Sequence, residues 1–179
     1  MTIAWGRRHA QVETALGELT LVAEEDALTG LYFPGHWHLP ATSAFGVGVE
    51  ATADEVFVRT KIELDDYLAG ERQTFDVPTR TRGDEFSERV WAMLKEIPHG
   101  TTTTYGALAE RLGNRRLARR VGQAVGRNPI SVLIPCHRVI GADGSLAGYA
   151  GGLERKQWLL ELEGYVPLHL GLPLRVGTR

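Results

Sequence analysis

A single cysteine stands beside a histidine in this chain of 179 residues, within the string Ile134-Pro-Cys-His-Arg-Val139. A thiolate is a strong nucleophile, and a neighbouring base or positive charge favours its formation. The apolar run 130–134 predicts a short, buried, extended segment, so Cys136 is expected where that segment meets a glycine-rich loop. Neighbours in extended chain point opposite ways, so a relay to His137 needs a turn or a bridging water. The alternative is a cysteine that only fills the core.

A second candidate group is a face of arginines. Residues 105–112 and 115–126 predict two helices joined by a glycine-containing turn, with Thr104 as the first cap, which is typical of a helix-turn-helix. On a helical wheel the arginines of the second helix lie opposite its apolar residues, and two glycines adjoin Arg119. This pattern favours phosphate binding, with a solvated surface as the alternative. The residues of this face are Arg115, Arg116, Arg119, Arg120, Gly122 and Gly126.

The elements around these groups indicate two domains. Alternation over 9–15, 18–23 and 28–33 predicts three strands, and residues 51–68 predict an amphipathic helix. Residues 75–78 are expected to return as another strand, and 79–83 to form a linker. Asp84 is a plausible cap for a helix to about residue 96, and a last helix is expected over 153–163. We therefore expect an α/β support domain over 1–80 and a working domain over 84–170.

Composition excludes several classes of protein. Hydrophobic residues make up 43% and charged residues 23%, which is typical of a globular chain rather than a disordered or fibrous one. Residues 1–83 carry a net charge of −6 and residues 84–179 a net charge of +4, which favours an acidic support domain and a basic working domain, unless the split is chance. One cysteine, no zinc-type spacing, no transmembrane run and no apolar leader predict a cytoplasmic protein without a metal, a disulfide or a membrane contact.

The chain resembles the O6-alkylguanine-DNA alkyltransferases. The matching strings run from Asn128-Pro to Pro-Cys-His-Arg-Val139, continue as Gly148-Tyr-Ala-Gly-Gly to Glu163, and extend back through residues 97–105 and the arginine helix. The resemblance is strong over 86–164 and holds only in outline over the first 80 residues. It implies an α+β fold with an N-terminal ribonuclease-H-like sheet and helix, and a helical C-terminal domain with a helix-turn-helix.

The resemblance also implies roles for individual residues. Cys136 resembles the acceptor thiolate that takes the alkyl group, in an ion-like pair with His137, which is its base through a water. Glu163 resembles the carboxylate that orients His137, Asn128 the hinge asparagine and Tyr105 the donor to guanine N3. Arg119 matches the finger that enters the base stack, with the rest of its helix in the minor groove. The positions that resemble the substrate pocket are Val139, Tyr149, Ala150 and Lys156, the last with a solvated helix residue as its alternative.

The activity implied is direct repair of O6-alkylguanine in double-stranded DNA, once per protein molecule and without a cofactor, because a thioether does not release its carbon. We expect a monomer. Cooperative binding to DNA, activity on O4-alkylthymine and the preferred alkyl size stay open. Two alternatives are a lesion-binding module without chemistry, against which Cys136 argues, and a cysteine hydrolase built on Cys136 and His137, against which the basic helix argues.

Overall fold

The structure is a computed structural model that describes residues 6–165. It has the α+β architecture predicted from the sequence: a small sheet with one helix in the first half and a mainly helical second half. No helix within the described residues is long and apolar enough to cross a membrane. The elements are β1 (Arg8–Thr14), β2 (Gly17–Glu24), β3 (Ala27–Tyr32), β4 (Val47–Gly48), α1 (Glu55–Leu68), α2 (Glu85–Lys95), β5 (Thr103–Thr104), α3 (Tyr105–Arg111), α4 (Ala118–Gly126), β6 (Val139–Ile140) and α5 (Leu153–Leu162).

The first half forms a four-stranded sheet in the order β3-β2-β1-β4, in which β1, β2 and β3 are the three strands predicted over 9–15, 18–23 and 28–33 and β4 is not predicted. β1, β2 and β3 are antiparallel neighbours, whereas the two-residue β4 pairs in parallel with β1. A strand of two residues has no readable periodicity, which is why the sequence does not reveal it.

The free edge of β3 is covered by two segments of irregular chain. Leu28 exchanges backbone hydrogen bonds with Pro78 and Arg80, and Leu31 N donates to Pro129 O at 2.9 Å. The predicted strand over 75–78 is therefore wrong: this segment contributes only an isolated bridge between Thr79 and Leu28. Because all six residues of β3 are buried, its edge is closed to other chains.

Helix α1 is fixed to the sheet at its N-terminus by Asp54. The Asp54 carboxylate accepts hydrogen bonds from the backbone N–H groups of Val56 and Phe57, and it also pairs with the buried guanidinium of Arg8 on β1. One side chain thus caps the helix and anchors it to a strand. The last turn of α1 places Tyr67, which is 1% exposed, against the second half of the chain.

The second half is built on local signals that the sequence contains. Asp84 caps α2 by accepting from Ser87 N, and Thr104 caps α3 by accepting from Ala107 N. The arginine helix begins as a 3-10 turn over Arg115–Leu117 and continues as α4. The added feature is a two-stranded parallel sheet of β5 and β6, which joins the start of α3 to the segment after Cys136.

One apolar core runs through both halves. Leu21 and Leu31 of the sheet belong to the same buried cluster as Val90 of α2 and Leu159 of α5. Residues 1–5 of the predicted first domain and 166–170 of the second lie outside the described residues. Within the described chain, the two predicted domains pack as one body around a shared interior.

Gly151 packs closely against Phe33 of the first half. A Cβ at this position would lie 2.4 Å from a ring carbon of Phe33, so the chain can approach Phe33 only as glycine. Gly151→Ala should therefore lower the free energy of unfolding by about 1–3 kcal/mol, measured by denaturant titration. Gly126→Ala is the matched control, because a Cβ there meets nothing within 4 Å. Equal destabilisation by both substitutions would refute the close contact.

Candidate active site

Cys136 lies at the base of a cavity of about 140 Å³. It opens a 3-10 turn, Cys136–Arg138, directly after Pro135, and is only 4% exposed. The cavity brings the thiol together with residues from α3, α4 and the glycine-rich loop, and with a loop of the first half. Its lining includes Tyr105, Gly122, Gly126, Tyr149, Ala150, Trp37 and His38.

The segment before Cys136 is buried as predicted, but it is a turn rather than an extended run. Ile134 N donates to Ile130 O at 3.0 Å, and Val132 adopts a φ of 73°, which a β-branched residue rarely does. Asn128 closes the turn: its side-chain amide donates to Ile134 O at 2.8 Å and its oxygen accepts from Ile130 N at 3.1 Å. Asn128 therefore sets the path of the chain into Pro135 and Cys136.

His137, the next residue after Cys136, forms a buried pair with Glu163. Nε2 of His137 lies 2.8 Å from Oε1 of Glu163, and both side chains are fully enclosed. Nδ1 of His137 is also buried and has no hydrogen-bond partner among the described residues. A carboxylate can only accept, so Nε2 carries the proton and Nδ1 keeps a free lone pair.

Glu163 accepts hydrogen bonds from three segments of the chain: α1, the loop after α2, and the turn Cys136–Arg138. Arg138 binds both carboxylate oxygens, with Nε at 2.9 Å from Oε2 and Nη2 at 2.8 Å from Oε1. Gly100 N donates to Oε2 at 3.1 Å, and the hydroxyl of Tyr67 donates to Oε1 at 2.5 Å. Burial by itself would raise the pKa of Glu163, but the hydrogen bonds from His137, Arg138 and Tyr67 outweigh it and hold that pKa below its usual range.

The resting thiol and imidazole are both neutral. Burial raises the pKa of Cys136, although a hydrogen bond from Asn128 and the charge of Lys156 oppose it. Burial also lowers the pKa of His137, and Glu163 offsets only part of that effect. These directions differ from the ion-like pair expected from the sequence: the thiol keeps its proton until a base removes it.

The substrate-pocket positions fall into two groups. Tyr149 and Ala150 line the cavity, as does Tyr105, whose hydroxyl donates to Ala147 O at 2.8 Å and whose pKa burial raises to about 12. Lys156 does not line it, and the alternative of a solvated helix residue is wrong. Its Nζ is buried and donates to Val139 O at 2.6 Å, Ala147 O at 2.9 Å and Gly148 O at 3.2 Å, so it anchors the loop that carries the pocket residues.

The arginine face is exposed, but its members differ in their contacts. Arg115 pairs with Glu110 at 2.9 Å, and the guanidinium of Arg120 lies over the ring of Phe86 at 3.9 Å from its centroid. Arg116 and Arg119 are exposed, and their side chains have no partner within residues 6–165. Gly122 and Gly126 lie on the same helix and line the mouth of the Cys136 cavity. The face and the thiol therefore open to the same side.

Sequence reasoning missed the contributions of the first half. Tyr67 reaches the His137–Glu163 pair from α1, and Trp37 and His38 lie at the mouth of the cavity. In the sequence Tyr67 is one apolar position of an amphipathic helix, and residues 34–48 are a loop without a pattern. No local signal in the chain connects either of them to Cys136.

Comparisons with known proteins cover nearly the whole described chain. Residues 85–165 match the family model described as "6-O-methylguanine DNA methyltransferase, DNA binding domain", and residues 8–81 match its "ribonuclease-like domain". The chain belongs to the 6-O-methylguanine DNA methyltransferase family. The family's two domains thus meet at the Tyr67–Glu163 contact in this chain.

Relatives of the methyltransferase family, and a solved structure from it, align with most of this chain. A methylated-DNA--protein-cysteine methyltransferase of Methanosarcina acetivorans is 41% identical over 157 residues, 87% of this chain and 97% of the relative. The methylated-DNA--protein-cysteine methyltransferase of Mycolicibacterium paratuberculosis is 44% identical over 152 residues, 85% of this chain and 89% of the relative. The crystal structure of Mycobacterium tuberculosis OGT in complex with DNA has a TM-score of 0.80 at 40% identity, and the match covers 88% of this chain and 93% of that one.

The neutral state of Cys136 gives a direct expectation for this methyltransferase. Because burial raises the pKa of the thiol, thiolate absorbance at 240 nm should appear only above the usual thiol pKa of about 8.5. Cys136→Ser supplies the baseline, since the chain has no other cysteine. A titration midpoint near neutral pH would contradict the neutral pair.

Proposed function

We propose that the chain repairs O6-alkylguanine in double-stranded DNA by moving the alkyl carbon to Sγ of Cys136. The observation that carries this proposal is one buried thiol that lines a cavity together with residues of the arginine helix, and that is followed in the same turn by a histidine held by a carboxylate. A lesion-binding module needs no such thiol, and Cys136 is the only cysteine in the chain.

The reaction begins with proton transfer from the thiol. Nδ1 of His137 has the free lone pair and is enclosed, so a bridging water carries the Cys136 proton to it. Glu163 stabilises the imidazolium that forms and keeps its Nε2–H in place. The resulting thiolate attacks the alkyl carbon, an S–C bond forms, and the bond from carbon to guanine O6 breaks.

The leaving guanine takes negative charge, which a hydrogen bond to its N3 stabilises. Tyr105 lies in the cavity, and its hydroxyl can exchange its partner, Ala147 O, for guanine N3. Tyr149 and Ala150 enclose the base, and Lys156 holds the loop on which they stand. The thioether product does not release its carbon, so each molecule reacts once.

DNA reaches the cavity through the exposed face of α4. O6 is inaccessible inside a duplex, so the damaged nucleotide leaves the stack. Arg119 fills the space it vacates, and Arg116 contacts a phosphate, whereas Arg115 and Arg120 must first exchange their partners Glu110 and Phe86. The glycines beside Arg119 make this face flat enough for the narrow minor groove.

We further infer that the protein acts as a monomer in the cytoplasm. One molecule contains the thiol, its base and the DNA-binding face, so the chemistry requires no second copy. The lone cysteine, without a possible disulfide, suits a reducing compartment.

Intact mass measures the proposed transfer. Mixing with DNA that contains O6-methylguanine should add one methyl group, about 14 Da, to the peptide that contains Cys136, and activity should end at one transfer per molecule because no second thiol can accept the carbon. Cys136→Ser should gain no mass and bind DNA within a few-fold of the unsubstituted protein. Repeated turnover, or methyl on another residue, would refute the assignment.

Arg119→Ala tests the stacking role. It should slow transfer from duplex DNA by roughly 10- to 100-fold, since unstacking costs a few kcal/mol that the side chain partly offsets. Transfer from free O6-benzylguanine, which needs no flipping, should stay unchanged. A mismatched base opposite the lesion should reduce the defect.

Arg116→Ala is the matched control for Arg119. It should lower the slope of the logarithm of the DNA-binding constant against the logarithm of the salt concentration by about one unit, the contribution of one phosphate contact. The rate at saturating DNA should stay unchanged. If Arg119→Ala slowed duplex and free base equally, Arg119 would support the pocket rather than the flipped-out state.

A further inference from the structure

The first domain contributes a hydroxyl to the buried pair of His137 and Glu163. Tyr67 lies at the end of α1, 70 residues before His137 and 96 before Glu163. Its Oη lies 2.5 Å from Oε1 of Glu163 and 3.4 Å from Nε2 of His137, so it touches both members of the pair at their shared contact. Neither the matched family models nor the relatives' names assign it a role.

The direction of these bonds follows from the proton count. Glu163 is ionised and accepts only, and Nε2 of His137 already donates to Oε1. The single Tyr67 proton therefore goes to Oε1, which shares it with the imidazole N–H. Burial and the charge of Glu163 raise the pKa of Tyr67, so the hydroxyl stays protonated and remains a donor at every pH at which the protein works.

We infer that Tyr67 is a positioning residue for the alkyl transfer. Its hydroxyl fixes the oxygen of Glu163 that orients His137, and it thereby sets how strongly His137 binds its proton. A donor on Oε1 withdraws negative charge from that oxygen and weakens its pull on the imidazolium. The hydroxyl thereby keeps His137 neutral, with a free lone pair on Nδ1. This inference rests on the proposed transfer to Cys136.

Other charged groups around His137 are unaffected by a change at Tyr67. Arg138 adjoins it in the same turn, and its guanidinium remains on Glu163 and on Ile97 O. Lys156 of α5 keeps its three carbonyl partners, and His99 touches only the ring of Tyr67, at 6.1 Å between centroids. Loss of the hydroxyl therefore removes one hydrogen-bond donor to Oε1 and leaves every formal charge as it is. The titratable groups beside the pair are Arg138, Lys156 and Tyr67, and Tyr67 in turn adjoins His99 and Tyr149.

The ring of Tyr67 can stay in place without its hydroxyl. It packs against Phe75 with centroids 5.1 Å apart and an interplanar angle of 48°, and Glu163 keeps Arg138 and Gly100 as donors. Tyr67→Phe thus tests the hydroxyl alone. Tyr32→Phe is the matched control, since Tyr32 is another buried tyrosine of the first domain and its ring stacks on Phe45 away from the pair.

The decisive measurement is the pH dependence of the single-turnover rate with free O6-benzylguanine, which removes DNA binding from the readout. The acid limb reports protonation of His137, the base. Tyr67→Phe leaves Oε1 a stronger acceptor, which raises the pKa of His137. The acid limb should then move up by about 0.5–1 pH unit, which is about half of what a lost hydrogen bond to a charged group amounts to, because the effect reaches His137 only through Glu163; the plateau rate should fall about three- to tenfold.

A second variant should shift the acid limb of the pH profile in the opposite direction. Tyr67→3-fluorotyrosine keeps the ring and the hydroxyl but makes the hydroxyl more acidic and a stronger donor, so the acid limb should move to lower pH. Tyr32→Phe should leave the profile unchanged. Thermal unfolding at each pH confirms that every variant is folded over the measured range.

An acid limb that does not move in Tyr67→Phe overturns the inference, whatever happens to the plateau rate, because a merely structural loss slows the reaction at every pH alike. A shift in the opposite direction overturns it as well. Failure of the proposed function is distinguishable, since the unsubstituted protein would then gain no benzyl group on Cys136 at any pH.

Discussion

The carboxylate of Glu163 is the point at which the working parts of this molecule meet. Its side chain is fully enclosed, and an ion at that depth is tolerated only when hydrogen bonds replace its water. Those bonds come from α1 through Tyr67, from the loop after α2 through Gly100, and from the turn after Cys136 through His137 and Arg138. The bonds that keep the carboxylate ionised therefore also hold both domains and the base in position.

The neutral resting state suits a protein whose thiol reacts only once. A permanent thiolate would combine with any oxidant or alkylating agent that entered the cavity, and the molecule would be lost to repair. Burial raises the pKa of Cys136 and lowers that of His137, so nucleophile and base stay uncharged until a substrate fills the cavity. Activation then depends on geometry, which Asn128 provides on the side of the thiol and Glu163 on the side of the imidazole.

Local chemistry explains what could be predicted from the sequence. Asp84 and Thr104 cap their helices with their own side chains, and the string around Cys136 belongs to one turn. The apolar residues 130–134 predict an extended segment, whereas the structure has a turn there, because a buried turn and a buried strand have the same apolar pattern. The sequence places Lys156 at the pocket or, as the alternative, in solvent, because its three carbonyl partners come from segments that only the folded chain brings near. The same is true of Tyr67, whose partners lie 70 and 96 residues away.

The orientation of His137 is the central claim, and its ring nitrogens report it directly. ¹⁵N NMR of imidazole-labelled protein at pH 7, with the His137 signals assigned by their loss in His137→Asn, distinguishes the two tautomers and the imidazolium. We predict a neutral ring with its proton on Nε2, held by Glu163, and an unprotonated Nδ1 toward Cys136. An imidazolium at this pH, or a proton on Nδ1, would contradict the account.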